Sequence, residues 1–197
     1  MKRITLSGNS AAASLTGFAS NVTGATWTLS ANDAGDSLAH KVTIRNDSVT
    51  DHTGKTITLT GTDADGRPLT ETLAGPNTSA TVTSAGYYLT LTSVTVSATI
   101  GADTFDIGYA AASISPTYWV PRDLAPQFNI GFGCRVVSGS PNYGVQHTYD
   151  GTAWYDHISV AAETTSQDGA YTSPIAGMRV AWTVAGSVTL TAFQLGV

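Results

Sequence analysis

Apolar and polar residues alternate with a period of two along most of the chain. Trp27 and Leu29 alternate with Thr26 and Thr28, and the apolar residues of the run 178–184 alternate with Arg, Ala and Thr. Successive side chains of a strand point to opposite faces, so this pattern predicts strands with one buried face. No segment sustains the apolar stripe at i, i+3, i+4 and i+7 that marks an amphipathic helix. The pattern therefore predicts an all-β protein.

The stretch 55–72, KTITLTGTDADGRPLTET, raises the question of a metal-binding loop. The calcium loop of a helix–loop–helix site needs glycine at its sixth position and a carboxylate at its twelfth. Counted from Asp63, these positions hold Pro68 and Ala74. The stretch therefore fails as a calcium loop.

A β-hairpin explains the same stretch better. Asp63 and Gly66 occupy the first and fourth positions of a type I turn, and Gly66 can adopt positive φ to form a bulge. A three-residue loop at 64–66 keeps the apolar positions on one face and pairs Ile57 with Leu73, Leu59 with Glu71, and Gly61 with Leu69. Glu71 is the one charged residue on that face, so we expect it near a sheet edge or at a subunit contact.

The alternation changes phase within the run 88–100. Leu89 and Leu91 are apolar at odd positions, whereas Val94 and Val96 are apolar at even positions. A strand can keep both sets on one face only if it contains an extra residue or turns a corner. The sequence therefore predicts a bulge or corner at Thr92–Ser93.

The proline-rich segment 113–126 predicts a junction between two modules. Residues 1–112 and 127–197 are each of a size that suits a small β-sandwich or jelly-roll-like module, in tandem. For the second module, alternation predicts strands near 127–137, 143–149, 154–161, 176–184 and 187–195. Asp150–Gly151 and Ala185–Gly186 are its predicted hairpin turns.

Composition narrows the classes of partner. Of 197 residues, 42% are hydrophobic and 12% are charged, and the net charge is −5. The nine Lys and Arg residues are scattered, so nothing attracts the chain to nucleic acid. An 18-residue apolar span and an apolar signal segment are both missing from the sequence, so we expect synthesis in a cytosol and no membrane partner.

Reactive residues are few. The sequence contains no nucleophile elbow, zinc-protease motif or phosphate-binding glycine loop. The best cluster is His147, Asp150, Asp156 and His157, but a two-residue turn at Asp150–Gly151 would set His147 opposite Trp154 and place the two histidines on opposite faces. Cys134 alternates in phase with buried positions and is expected to be a small buried hydrophobe. We therefore expect no catalytic residue, no metal and no cofactor.

Two aromatic pairs are candidates for surface binding: Tyr118–Trp119 and Trp154–Tyr155. Exposed aromatic side chains beside loops can stack on sugars or anchor protein contacts. Neighbours in a strand face opposite ways, so one member of each pair can belong to the core while the other points outward.

Several runs resemble modules of tailed-bacteriophage virion proteins. ITLTGTDADGRPLTETL (57–73) and TVTSAGYYLTLTSVTVSATIGADTFDIGYA (81–110) resemble one such module, a hairpin followed by a strand and a closing DIG segment. YGVQHTYDGTAWYDH (143–157), AYTSPIAGMRV (170–180) and SVTLTAFQL (187–195) are similar to a second small β-domain of phage structural proteins. These motifs are strand and turn patterns without a catalytic signature.

The resemblance implies a non-enzymatic virion structural protein, made in the host cytoplasm. The expected role is capsid decoration or cementing through the major capsid protein or other virion proteins, usually as a homotrimer. One alternative is a neck, tail or fibre component. Another is a carbohydrate-binding module on the virion surface that uses Tyr118, Trp119, Trp154 or Tyr155.

Overall fold

The computed structural model describes residues 2–121 and 128–195, and within these ranges it contains thirteen strands and no helix. The prediction of an all-β protein is confirmed. The chain forms two compact units. We call Ala12–Ser113 the middle unit, and Met1–Ala11 together with Ile114–Val197 the terminal unit.

These units differ from the predicted modules in one respect. The first eleven residues belong to the terminal unit, whereas the predicted first module spans 1–112. The predicted junction 113–126 contributes its described residues to the terminal unit, apart from Ser113, and residues 122–127 lie outside the described ranges.

The middle unit is a sandwich of two sheets. In the first sheet β2 lies beside β8, β8 beside β3 and β3 beside β6, and in the second the order is β5–β4–β7. The strands are β2 (Ser14–Val22), β3 (Ala39–Asn46), β4 (Thr56–Thr62), β5 (Pro68–Ala74), β6 (Thr81–Tyr88), β7 (Thr90–Val96) and β8 (Phe105–Ile114). Both sheets contribute to one buried cluster, which includes Phe18, Ile44, Ile57, Leu59, Leu91 and Phe105.

The predicted hairpin is confirmed as β4 and β5. Leu59 pairs with Glu71 and Thr58 with Thr72, as the three-residue loop requires. The Asp63 side chain accepts hydrogen bonds from the N–H groups of residues 65 and 67, and Gly66 has a φ of 77°. The turn is therefore built by side-chain capping and by a glycine in the left-handed region.

The predicted phase change in β7 is also confirmed, as a bulge. Ser93 pairs with Thr60 and Leu91 with Gly61, so Thr92 has no partner in the ladder. The Thr92 hydroxyl donates instead to the Thr60 carbonyl oxygen at 2.8 Å. The extra residue lets Leu91 and Val94 both point into the core.

The terminal unit is organised around two long antiparallel strands. Its strands are β1 (Lys2–Ser10), β9 (Tyr118–Trp119), β10 (Asn129–Thr148), β11 (Tyr155–Asp156), β12 (Gln167–Tyr171) and β13 (Gly177–Leu195). β10 pairs with β13; β12 and β11 flank β10, while β1 and β9 flank β13. At one end the strand order is therefore β12–β10–β13–β1.

The hairpin turn predicted at Ala185–Gly186 is wrong. The predicted strands 176–184 and 187–195 form one continuous strand, β13, and the predicted strands 127–137 and 143–149 likewise merge into β10. Gly186 has a φ of 148° and lies opposite Gly139, whose φ is 76°. The glycines allow the paired strands to bend at bulges instead of reversing direction.

Candidate functional site

The aromatic residues singled out in the sequence all lie in the terminal unit. Trp119 and Tyr155 are exposed, at 37% and 51%, while Tyr118 and Trp154 are half-buried. In each pair, therefore, one member is more open to solvent than the other.

Tyr118 and Trp119 form the short strand β9. The Tyr118 hydroxyl donates to Oε1 of the buried Gln194 at 3.0 Å, and the Lys2 ammonium lies 5.3 Å from the centre of the Tyr118 ring. Tyr118 is thus held in place by its neighbours. Trp119 lies beside Gly151 and Gly177, where an added Cβ would approach its ring to 3.1–3.2 Å.

Trp154 is covered on one face by a cation. The Arg179 guanidinium carbon lies 3.8 Å from the centre of the indole ring. The Arg179 Nε donates to Gln146 at 2.9 Å, and Gln146 in turn donates to Asp156 at 2.9 Å. This network fixes Trp154 as part of the surface structure and leaves Tyr155 as the more accessible ring of the pair.

Tyr155 belongs to a group of aromatic rings in contact, which we call the ring cluster. Its centre lies 5.8 Å from that of His147 and 5.9 Å from that of Tyr149. The cluster consists of Phe132, His147, Tyr149, Tyr155, His157 and Tyr171. Gly169 makes room for it, because a Cβ there would lie 2.7 Å from atoms of Phe132 and His157.

The two histidines of this cluster share a face, contrary to the sequence prediction. His147 pairs with Tyr155, not with Trp154, so the register is one residue longer than a two-residue turn allows. The Asp150 carboxylate accepts hydrogen bonds from the N–H groups of Thr152 and Ala153 and thereby lengthens the loop. A shift of one residue moves a side chain to the other face, which brings His157 beside the residues that flank His147.

Both histidine rings contact Tyr171, at centre-to-centre distances of 5.0 and 4.9 Å. Tyr171 is 7% exposed, and its hydroxyl has no hydrogen-bond partner among the described residues; the same holds for the buried Nδ1 of His147. Burial lowers the pKa of His147, helped by the nearby His157 and opposed by Asp156. Burial thus favours the neutral form of the His147 ring.

His157 differs from His147 in its bonding. Its Nδ1 accepts from the Ser159 N–H at 3.2 Å, which leaves the proton on Nε2 to be donated to the Ala170 carbonyl oxygen at 3.3 Å. Both ring nitrogens are thus engaged, so His157 is a poor metal ligand in this conformation.

Two neighbouring depressions open beside the ring cluster, with Tyr149 on the border between them. The Tyr171 pocket has a volume of about 250 Å³, and its lining includes His147, Tyr149, Asp156, His157, Ile158 and Tyr171. The Trp119 groove has a volume of about 540 Å³, and its lining includes Trp119, Pro121, Tyr149, Asp150, Pro174 and Ile175. At the rim of the pocket, Ile158 is 97% exposed.

A second surface, on the outer side of the order β12–β10–β13–β1, was missed by sequence reasoning. Gly131 and Gly133 point away from the buried Phe132 and Cys134, and a Cβ at either glycine would meet no described atom within 4 Å. Their cross-strand neighbours complete what we call the glycine face: Arg3, Thr5, Asp168, Ala170, Thr191 and Phe193. The alternation around Phe132 could have predicted this surface from the sequence, because it places both glycines on the same outward face.

Glu71, the remaining candidate, lies in the middle unit and has a structural role there. Its two carboxylate oxygens accept hydrogen bonds from the N–H groups of Ala85 and Gly86, at 2.7 and 3.0 Å. The charge on the apolar face is satisfied within the chain, which explains how β5 tolerates it.

Cys134, His40 and His52 are buried. Burial raises the pKa of the Cys134 thiol to about 12, in agreement with its predicted role as a buried hydrophobe. His40 contacts Asp36 at 2.8 Å, and His52 lies between Asp103 and Lys55 at 2.9 Å from each. These histidines support the middle unit.

The part of the chain that the structure describes contains no group of three or more His, Cys, Asp and Glu residues able to hold a metal ion. Nor do those residues form a helix that is long and apolar enough to cross a membrane. Comparisons with protein-family models, with curated proteins and with solved structures gave no match to this chain.

Proposed function

We propose that this chain is a non-enzymatic virion protein that decorates or cements a capsid by binding the major capsid protein. The observation that carries the proposal is the glycine face, where a Cβ added at Gly131 or Gly133 of β10 would meet no described atom within 4 Å. The resemblance of the sequence to phage structural modules supplies the kind of partner.

Glycine within a strand is unfavourable by roughly 0.5–1 kcal/mol relative to alanine. Such positions often mark a place where another backbone or a ligand approaches closely. In many strands the close neighbour belongs to the same chain, but here a Cβ at Gly131 or Gly133 would have no described atom within 4 Å. A partner outside the chain accounts for both glycines.

The rest of the glycine face suits a protein partner. Phe193 pairs with Gly131 and is 42% exposed, so it offers an apolar anchor beside bare backbone. Arg3 and Asp168 lie on the outer strands, and the residues between them are small or uncharged. A smooth, weakly charged face of four strands can lie flat against another protein surface.

Repetition on an icosahedral shell would add many such contacts. Contacts that are individually modest become effective when a symmetric array engages them together. Binding to the assembled shell, and not to its dissociated subunits, stabilises the shell by mass action. A homotrimer made in the host cytoplasm before assembly fits the same proposal.

The first measurement is the number of copies of this chain relative to the major capsid protein in purified particles, by quantitative mass spectrometry. A ratio near one, or a simple lattice fraction of it, supports decoration of the whole shell. A few copies per particle instead favour a neck, tail or fibre component. Absence from the particle removes the virion proposal.

A matched pair of variants tests the glycine face. Gly133→Glu places a charged side chain on the proposed contact, whereas Gly54→Glu places the same side chain in the middle unit, where an added Cβ also meets no described atom. We expect Gly133→Glu to reduce capsid occupancy about tenfold or more, since an unpaired charge would have to be desolvated at the contact. Gly54→Glu should bind like the wild type.

Circular dichroism and size-exclusion chromatography establish that both variants are folded. Wild-type occupancy by a folded Gly133→Glu protein contradicts the assignment of the contact to this face. Retained capsid binding with a changed oligomeric state would show instead that the face joins copies of this chain.

A further inference from the structure

We infer that the Tyr171 pocket is a saccharide subsite that binds one neutral hexopyranose unit of a glycan. This inference goes beyond the docking role of the glycine face and does not depend on it. It rests on two buried polar groups without partners, an adjoining set of exposed rings, and the charge of the pocket.

The two polar groups are the Tyr171 hydroxyl and Nδ1 of His147. Both are buried, and neither has a hydrogen-bond partner among the described residues, although buried polar groups are nearly always paired. A sugar hydroxyl can both donate and accept. It can therefore accept from the tyrosine O–H and can pair with the imidazole nitrogen in either tautomer.

Two exposed rings adjoin these groups: Tyr149, which lines the pocket, and Tyr155 beside it. Tyr149 and Tyr155 are 59% and 51% exposed, and their centres are 5.9 Å apart. Rings at this spacing pack against each other and leave no room between them, so a ligand must lie on their outer faces. The apolar C–H face of a pyranose is suited to such stacking. Its hydroxyls would pair with the two polar groups once local side-chain movement opens them, because neither atom is accessible to solvent in this structure.

The charge and geometry of the surroundings disfavour three other ligand classes. Asp156 lines the pocket and Asp150 lines the adjoining groove, and among the described residues neither lining contains Lys or Arg, so phosphates and other anions are disfavoured. A quaternary ammonium needs rings spread around the cation, whereas these rings contact each other. A metal ion is disfavoured because both nitrogens of His157 are engaged.

The volume of the pocket also indicates that it holds a single sugar ring. Its volume of about 250 Å³ is below the roughly 300–1,000 Å³ of sites for drug-sized ligands. The Trp119 groove, on the other side of Tyr149, has room for the next unit of a chain and offers the exposed Trp119 indole. A glycan of two or more units therefore fits better than a free monosaccharide.

Two NMR experiments on the full chain test the inference. Saturation transfer detects which ligand binds, and amide correlation spectra of the isotope-labelled protein detect which residues the ligand affects. The probes are the methyl glycosides of glucose, galactose, rhamnose and N-acetylglucosamine, with choline chloride as the cationic comparison, followed by a microbial glycan array. We expect at least one sugar to bind and to shift the amide resonances of residues 147–158 and 170–173. Binding of choline alone, or of no probe and no arrayed glycan, overturns the inference.

Single substitutions test whether the sugar binds in the Tyr171 pocket or elsewhere on the protein. Tyr171→Phe should weaken binding of the responding sugar roughly three- to tenfold through the lost hydrogen bond, and Tyr149→Ala roughly fivefold or more through lost stacking. Tyr88→Phe is the matched control, because the Tyr88 hydroxyl is equally buried and also without a partner among the described residues, but belongs to the middle unit. It should leave the affinity unchanged.

Thermal unfolding measurements test whether misfolding, and not the lost hydrogen bond, causes the weaker sugar binding of Tyr171→Phe. Tyr171→Phe should unfold at or above the wild-type temperature, because the deleted hydroxyl makes no hydrogen bond within the described chain. Unchanged sugar affinity in Tyr171→Phe, or equal losses in Tyr171→Phe and Tyr88→Phe, contradicts the assignment.

Discussion

At the scale of single residues, Glu71 shows why a strand pattern can be predicted while a side chain's partner cannot. The local alternation is enough to pair Leu59 with Glu71 across the hairpin, and that register is confirmed. The groups that Glu71 binds, the N–H groups of Ala85 and Gly86, belong to another strand, and no local pattern identifies them. Glu71 lies on β5, an edge strand of its sheet, as one of its two expected positions required, and its carboxylate is bonded within the chain.

We expect Glu71→Gln to destabilise the protein by about 1–3 kcal/mol. The amide replaces one acceptor oxygen with an NH₂ group, so one backbone N–H loses its partner and faces another donor. Urea denaturation at pH 7, followed by circular dichroism, measures the change in the free energy of unfolding.

Thr72→Ala is the control for this prediction, since Thr72 is the exposed neighbour of Glu71 in β5. It should change stability by no more than about 0.5 kcal/mol. Equal losses in the free energy of unfolding for the two substitutions would show that the hydrogen bonds of the Glu71 carboxylate do not stabilise the fold.

At the scale of elements, the β10–β11 turn shows how side chains can change a register. The Asp150–Gly151 pair predicts a two-residue turn, yet the Thr148 hydroxyl accepts from the Gly151 N–H and the Asp150 carboxylate accepts from two later N–H groups. These bonds favour a longer loop. The single-residue shift that results is what brings His147 and His157 to one face, so the ring cluster could not be predicted from the sequence.

We expect Asp150→Ala to lower the unfolding temperature at pH 7. The hydrogen bonds from the Thr152 and Ala153 N–H groups hold the pKa of Asp150 far below its usual range. A lowered pKa in the folded state stabilises the fold above the unfolded value of about 3.9, and this contribution is lost as the pH falls through the folded value. The difference in unfolding temperature between wild type and variant should therefore be constant from pH 7 to about 5 and shrink below about pH 4.

Thermal unfolding followed at a series of pH values tests this. Asp168→Ala removes an exposed carboxylate from β12 and controls for the change in net charge. The assigned role of the turn is contradicted if the difference in unfolding temperature between wild type and Asp150→Ala grows as the pH falls. It is also contradicted if Asp168→Ala lowers the unfolding temperature by the same amount.

At the scale of the whole molecule, the sequence identifies the fold class but not which strands belong together. Alternation shows that a strand has a buried face, and it contains no information on what lies against that face or along its edges. β1 illustrates the limit: it precedes the middle unit in the sequence but pairs with β13 from Lys2 opposite Gln194 to Ser10 opposite Gly186. The middle unit is thus inserted between two parts of the terminal unit, an arrangement that a tandem interpretation misses.

Ile4 tests that arrangement, because it is 6% exposed and pairs with the buried Ala192. Ile4→Ala should destabilise the terminal unit by about 2–4 kcal/mol through the cavity it leaves. Hydrogen exchange followed by mass spectrometry should show faster exchange of the β13 amides at 188–194, while the β4 amides at 56–62 in the middle unit keep their protection. Thr5→Ala, at the exposed neighbouring position, should leave both segments unchanged. Wild-type protection of β13 in Ile4→Ala would mean that the first strand contributes little to the unit in which it lies, and that the terminal unit is complete without it.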